Sequence, residues 1–187
     1  MSSDALILAR RDGAISHITL NRPRAINALN LELFETPTRE VAAANANGST
    51  AILLDGAGDR GFCGGGDVKV ISTGDPRQIL STEYVLDYAI ATSGIPVIGI
   101  MDGITMGGGI GLTGHAHIRI VTERSRLAMP EARIGIVPDV GGHHLLAQAP
   151  GRLGELLAIT SGEMDPGDAI ALGFADSYVP SDRPDTL

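Results

Sequence analysis

The stretch PVIGIMDGITMGGGIGLTGHA, from Pro96 to Ala116, decides the fold. Its first part, PVIGIMDG to Gly103, is a short apolar run that reads as a strand buried on both faces. The glycines that follow favour a tight turn and then a helix start. The same unit recurs outward in both directions. Upstream, TAILLDG (Thr50 to Gly56) reads as a second buried strand, and AISHITL (Ala14 to Leu20) alternates as a strand should. The turn-prone NRPRAINALN then leads into a helix beginning near Asn30, which Pro37 is expected to interrupt or kink. A glycine loop and a helix over about Pro76 to Ala91 fill the space before Pro96. Downstream, HIRIVTE (His117 to Glu123) is a further strand, followed by the loop MPEARIGIVPDVGG. Helices are then expected in HHLLAQA and GELLAIT, with a third opening at Pro166. Strand, helix and strand in repetition argue a single α/β unit with right-handed crossovers and functional loops at the strand ends. The closing PSDRPDTL is polar and proline-marked, as a frayed end or the stub of a longer chain would be.

Composition narrows the function. With 187 residues and 43% hydrophobic content the chain suffices for one domain with a sizeable core. A formal charge of −8 and a pI near 5.0 argue against nucleic acid as the main partner. Lys69 is the only lysine, so phosphate contacts would fall to arginine forks, Arg22 and Arg24 being the pair of interest. The single Cys63 supplies neither a disulfide nor a thiolate cluster, which fits a reducing compartment and leads us to expect a cytoplasmic chain. The start MSSDALILARR lacks a positive region ahead of its short apolar run, and no stretch approaches the ~18 apolar residues of a membrane span.

Two glycine loops are candidates for chemistry: GFCGGGD (Gly61 to Asp67) and MGGGIG (Met106 to Gly111). A glycine turn before a helix can face an N–H outward, and the helix start adds positive partial charge. Two such donors converging on one point make an oxyanion hole. Plain tight turns and a phosphate loop are the competing readings of each loop. A Walker motif is excluded because neither ends in Gly-Lys-Ser/Thr, and a Rossmann unit fits poorly because GGGIGL does not follow the first strand. Glu131 and Asp139 bracket a loop stiffened by Pro130 and Pro138, which suits a pair that handles protons or positions water. They can equally be ordinary loop acids, one of them capping the helix that begins at Gly141. His143 and His144 open a predicted helix, one facing out and the other inward or along the edge; adjacent histidines are poor joint ligands, so no metal is expected. No G-x-S-x-G elbow occurs. Cys63 reads as a small buried hydrophobe rather than a nucleophile.

Taken together, LNRPRAINAL (Leu20 to Leu29), GFCGGGD, GITMGGGIGL and MPEARIGIVPDVGG resemble the successive signatures of the crotonase, or enoyl-CoA hydratase/isomerase, superfamily. The resemblance runs from about Ala14 to Pro180 and is closest to its 3-hydroxyisobutyryl-CoA hydrolase branch. It implies a crotonase-like α/β spiral and an acyl-CoA substrate, coenzyme A being part of the substrate and no separate cofactor being needed. It further implies a homo-oligomer, trimeric or hexameric, and a place in valine catabolism. Residue by residue, the backbone N–H groups of Gly64 and Gly108 become the oxyanion hole and Glu131 the catalytic glutamate. Glu83 of STEYVLD and Asp139 would line the acyl pocket. Arg22, Arg24, Ala25 and Asn27 would border the CoA moiety, with Gly65, Gly66 and Asp67 also placed against substrate.

The departures from the family pattern point to a reaction. Hydratases commonly carry a second glutamate where this chain has Gly111, and water addition uses two carboxylates. Thioester hydrolysis can proceed with Glu131 attacking the carbonyl or activating water while Asp139 assists. Position 64 is usually alanine, and His143 and His144 replace residues that are typically glycine and an aromatic. Hydrolases of this branch also run on into C-terminal helices past the equivalent of Leu187. Acyl-CoA thioester hydrolysis is therefore expected, with hydration or isomerisation on Glu131 alone, or a non-catalytic CoA-binding or oligomerisation subunit, as the alternatives.

Overall fold

The computed structural model describes residues 5–182. The expected polar tail falls partly outside that range, in residues 183–187. Within it, Ser181 donates its backbone N–H to Glu123 at 3.0 Å. The main sheet has six strands. These are β1 (Ile7–Asp12), β2 (Ile15–Leu20), β3 (Ala51–Gly56), β4 (Val97–Met101), β6 (Ile118–Val121) and β8 (Ser177–Tyr178), hydrogen-bonded in the order β1-β2-β3-β4-β6-β8. Only β1 and β2 are antiparallel, with Ile7 opposite Leu20 and Asp12 opposite Ile15. The sequence reading did not include β1. ILARRD is buried only at Ile7 and ends in three charged, exposed residues, a pattern that suits an edge strand.

Helices α1 (Leu31–Ala46) and α3 (Pro76–Ala91) pack on each other and close one face of the sheet. Asn30 caps α1 by accepting the Leu33 N–H at 3.0 Å. Of the interruption or kink expected at Pro37, the interruption does not occur, since α1 continues through it. Its buried face, Leu33, Phe34, Val41 and Ala44, lies on both sides of the proline, so packing outweighs one missing backbone bond. A short α2 (Val68–Thr73), absent from the sequence reading, separates the first glycine loop from α3. Ile18, Leu20, Ile52, Leu54, Val97 and Leu112 join Phe34, Leu86 and Ile90 in one core cluster. At ~25 cal/mol per Å² of apolar surface, this burial is the main force holding α1 and α3 to the sheet.

A second layer stands at the end of the main sheet. Strands β5 (Ile104–Met106) and β7 (Arg126–Ala128) run parallel, and single bridges tie Gly61 to Gly103, Cys63 to Thr105 and Leu127 to Met164. Helix α4 (Gly108–Gly114) then turns back over β4. Gly99 permits that approach, since a β-carbon there would lie 2.9 Å from the Thr113 methyl. Helices α5 (Gly142–Gln148), α6 (Leu153–Thr160) and α7 (Pro166–Ala171) complete the chain around a second core of Met101, Ile110, Leu127, Met129, Leu146 and Phe174. Of the two placements expected for the second histidine, inward or along the edge, the inward one is excluded: His143 and His144 are both exposed, while Leu145 and Leu146 take the buried face of α5. Among the described residues no helix is long and apolar enough to cross a membrane.

Candidate active site

The second layer brings the two glycine loops side by side. A β-carbon on Gly65 would sit 2.9 Å from the Met106 carbonyl oxygen and 3.6 Å from the Gly108 nitrogen. Between the loops and the 130–139 segment lies a cavity of about 250 Å³. Gly64, Gly65, Gly66, Gly108, Glu83, Glu131 and Asp139 all line it, so the structure assembles most of the residues singled out in the sequence. Val68, Ile71, Leu80, Ile134 and Ile136 give it apolar walls. A second cavity, of about 220 Å³, lies at the ends of β3, β4 and β6. Its two acids are both committed: Asp55 lies 2.8 Å from His17 Nε2, and Asp102 accepts from Arg124, whose Nε donates at 2.9 Å. Of these two cavities, the first sets Glu83, Glu131 and Asp139 against the α4 start, which makes it the candidate site. Among the described residues no cluster of three or more His, Cys, Asp or Glu is arranged to hold a metal ion.

Gly108 opens α4 and its N–H has no acceptor among the described residues, as befits the first amide of a helix. Gly107 before it holds φ +49, and a β-carbon there would lie 2.8 Å from Glu131 Oε1. A β-carbon on Gly108 would collide with Glu83 Oε1. The tight glycine turn is thus what lets two carboxyls close on the α4 start. Gly64 behaves differently from expectation. Its N–H donates to the Ile26 carbonyl at 2.7 Å, so the second donor of the expected hole is already engaged. The cause is local: Ile26 sits in the left-handed region at φ +49, which turns its carbonyl toward the glycine loop. Bonds from Leu29 N–H to Gly65 O (2.9 Å) and from Asp67 N–H to Leu29 O (2.8 Å) hold the two segments in that register.

The Arg22–Asn27 turn does not line the cavity. Asn27 is wholly buried, and its side chain accepts from the Arg22 N–H at 2.8 Å while donating to the carbonyls of Ala57, Gly61 and Phe62. It pins the turn to the glycine loop, which leaves no group free for a substrate. Asp67 is likewise committed. Arg22 donates to it at 2.8 Å and it caps α2, and the Arg22 hydrogen bond holds its carboxyl below the usual carboxylate range. Arg22 also bonds the Ala28 carbonyl at 2.9 Å, whereas exposed Arg24 has no hydrogen-bond or ion-pair partner among the described residues. Ala25 ends the short 3-10 turn Pro23–Ala25 and accepts the Ala28 N–H at 3.0 Å.

Glu131 begins a 3-10 turn, Glu131–Ile134, after Pro130. It is 5% exposed, and among the described residues its Oε2 has no hydrogen-bond partner. Burial, with the Asp139 charge adding to it, pushes its pKa up to about 7. Glu83 is 3% exposed; burial, then Asp139 and Glu131, push it to about 8. Asp139 does not cap α5, whose N-cap is Gly141, and instead accepts the Tyr84 hydroxyl at 3.0 Å. Burial and the neighbouring Asp139 raise the Tyr84 phenol. Arg133 lines the cavity but donates to the Ser161 carbonyl at 2.9 Å. Cys63 is a buried thiol pushed up to about 12 by burial, which removes it as a nucleophile. Tyr84 and Asp87 escaped the sequence reading. The available signal was the stripe Ile79, Glu83, Leu86, Asp87, Ile90, which sets two acids on the buried face of α3.

An α/β spiral in which a glycine-rich helix start meets buried carboxyls at one end of the sheet is the crotonase fold. Two solved structures share it over nearly the whole chain: a carnitinyl-CoA dehydratase from Mycobacterium thermoresistibile and an enoyl-CoA hydratase from Rhodobacter sphaeroides 2.4.1. The first matches with a TM-score of 0.94 and 43% identity over 98% of this chain and 56% of its own. The second matches with a TM-score of 0.89 and 40% identity over 97% and 56%. The chain belongs to the enoyl-CoA hydratase/isomerase family, whose model matches residues 15–187. Among curated relatives, the mitochondrial 3-hydroxyisobutyryl-CoA hydrolase of Gallus gallus is 39% identical over 97% of this chain and 49% of its own length. The chain therefore spans about half the length of the curated relatives it matches.

Proposed function

We propose that the protein hydrolyses an acyl-CoA thioester, with a short 3-hydroxyacyl group such as 3-hydroxyisobutyryl as the acyl part. The observation that carries this reading is Glu131, a buried carboxyl with an unpartnered oxygen beside the free Gly108 amide and a proton affinity near neutrality. The thioester carbonyl docks on Gly108 N–H at the positive end of α4. Glu131 takes a proton from a water that attacks the carbonyl, the C–S bond breaks as the adduct collapses, and Glu131 returns that proton to the departing CoA thiolate. If Glu131 instead attacks the carbonyl itself, CoA leaves with a proton from water and a second water hydrolyses the resulting anhydride. Gly64 contributes a second donor by sharing the hydrogen bond it makes to Ile26, a three-centre arrangement of the kind common at helix ends. Gly111 leaves position 111 without a carboxylate, and the hydrolase name of the curated relatives favours the same reaction.

Hydration or dehydration of an enoyl-CoA is the second reading, favoured by the 43% identity to the carnitinyl-CoA dehydratase. One assay separates the two: crotonyl-CoA and 3-hydroxyisobutyryl-CoA are supplied in turn, with free thiol and the enoyl chromophore followed together. Hydrolysis predicts thiol from the second substrate and none from the first. Loss of chromophore without thiol would replace hydrolysis by hydration. CoA binding without either signal would leave a binding subunit.

A further inference from the structure

The turn that carries Asp139 is bent against the preference of its own residues. Val140 stands at φ +45, in the left-handed region that a β-branched side chain rarely adopts, and Gly141 continues the bend at φ +71. Such a conformation persists only where the surroundings over-determine it. Two contacts do so, and both come from α4 and its C-cap. The Val140 side chain is 3% exposed and fills the space over Gly111, where an added β-carbon would come 2.7 Å from the Val140 β-carbon. The glycine at 111 and the bent turn are therefore one feature, since a side chain there would displace Val140. His115, the C-cap of α4, holds the Val140 carbonyl through Nε2 at 2.7 Å. A carbonyl only accepts, so Nε2 carries the proton. A β-carbon on Gly141 would run into the same imidazole, which sets the ring directly against the turn. On the other side of the turn Asp139 lines the cavity and accepts the Tyr84 hydroxyl at 3.0 Å, while the Gly142 N–H closes on the Asp139 carbonyl.

We propose that His115 is a positioning residue that acts through Val140: its Nε2–H holds the strained 139–141 turn, and the turn holds the Asp139 carboxyl at the cavity. Without that hydrogen bond Val140 relaxes out of the left-handed region, because nothing in its own side chain favours it. Val140 adjoins Asp139, so a change in its backbone re-aims that carboxyl away from Tyr84 and the cavity. Helix α4 thereby sets both sides of the site. Its first amide, at Gly108, meets the substrate carbonyl in the thioester reading, and its C-cap fixes the acid across the cavity. The role in turnover rests on that reading; the anchoring of the turn does not.

Two amides of different reach test this in the whole chain. His115→Gln places a donor where Nε2 stands, whereas the shorter side chain of His115→Asn ends near Nδ1 and leaves the Val140 carbonyl unheld. Amide hydrogen exchange reads the turn without any substrate. The Gly142 N–H should exchange about tenfold faster or more in His115→Asn and close to the wild-type rate in His115→Gln, with the β3 amides unmoved in both. Equal Gly142 protection in the three proteins, or a rise shared by the β3 amides, would overturn the anchor whether or not the protein hydrolyses a thioester. Should His115→Asn fail to fold, His115→Leu keeps the bulk without the donor and is read in the same way. Thiol release from 3-hydroxyisobutyryl-CoA reads the role: kcat/KM should fall about tenfold or more in His115→Asn and recover in His115→Gln. In an Asp139→Asn background the His115→Asn change should cost no more than about twofold, because the residue it acts through is already gone. A full, additive loss in that background would make His115 a structural residue and overturn the role. Absence of thiol release from the wild type would overturn the thioester reading and the role that rests on it, and the exchange rates alone would then decide the anchor.

Discussion

Asp87→Asn should change how stability depends on pH, in a direction opposite to the usual behaviour of a paired carboxylate. An ordinary Asp in the unfolded chain ionises near ~3.9. In the folded protein burial, then Glu83 and Asp139, raise Asp87 to about 9. The folded state therefore binds the extra proton across this interval. The stabilisation is fully present below the unfolded pKa, declines as pH rises between about 4 and about 9, and is gone above that. Each pH unit within the window costs ~1.4 kcal/mol for one such group. From near pH 5 to near pH 8 the wild type should thus lose about 4 kcal/mol through Asp87 alone. An asparagine removes the ionisation. Its buried amide adds a penalty of ~1–3 kcal/mol, but that penalty does not vary with pH. Urea unfolding of both proteins at the two pH values separates these effects: the variant should gain about 4 kcal/mol on the wild type between them. Parallel pH dependences, within about 1 kcal/mol, would refute the assignment of Asp87 as a buried neutral acid.

Three further outcomes test the site. Gly64→Ala places its β-carbon no closer than 3.5 Å to Ile26, so stability should stay within ~0.5 kcal/mol and thiol release should persist. Gly108→Ala drives its β-carbon into Glu83 and to 3.1 Å from Leu29 Cδ1, so turnover should fall about tenfold or more, read by the same thiol assay beside a thermal melt. With Glu131 as the base, kcat/KM should rise with pH through about 7 as its carboxyl ionises, and an acid limb near pH 4 would contradict the burial assigned to it.

The parts of this fold that repeat a period were legible. Val97–Met101 and Ala51–Gly56 are apolar runs of strand length, and Pro76–Ala91 carries a helical stripe that the structure reproduces end to end. Strands of three residues, such as Ile104–Met106, are too short to show any period, and Ile7–Asp12 looks like a charged loop because only one of its ends is buried. The site divides the same way. Glycine runs and proline-flanked acids mark Gly108 and Glu131 in the sequence. Whether an amide is free depends on where another segment turns its carbonyl, which is why Gly64 could not be separated from Gly108 until Ile26 was placed. Asn27 and Asp67 show the reverse case. Both are polar residues in signature motifs, and both are consumed by holding the loops together.

Glu131→Gln bears most directly on the proposed chemistry. The substitution keeps size and shape while removing the proton acceptor, so kcat for thiol release from 3-hydroxyisobutyryl-CoA should fall by about 10²-fold or more while CoA binding, measured by calorimetry, is retained. Turnover close to that of the wild type would remove Glu131 from the mechanism and with it the account of this cavity as a thioesterase site.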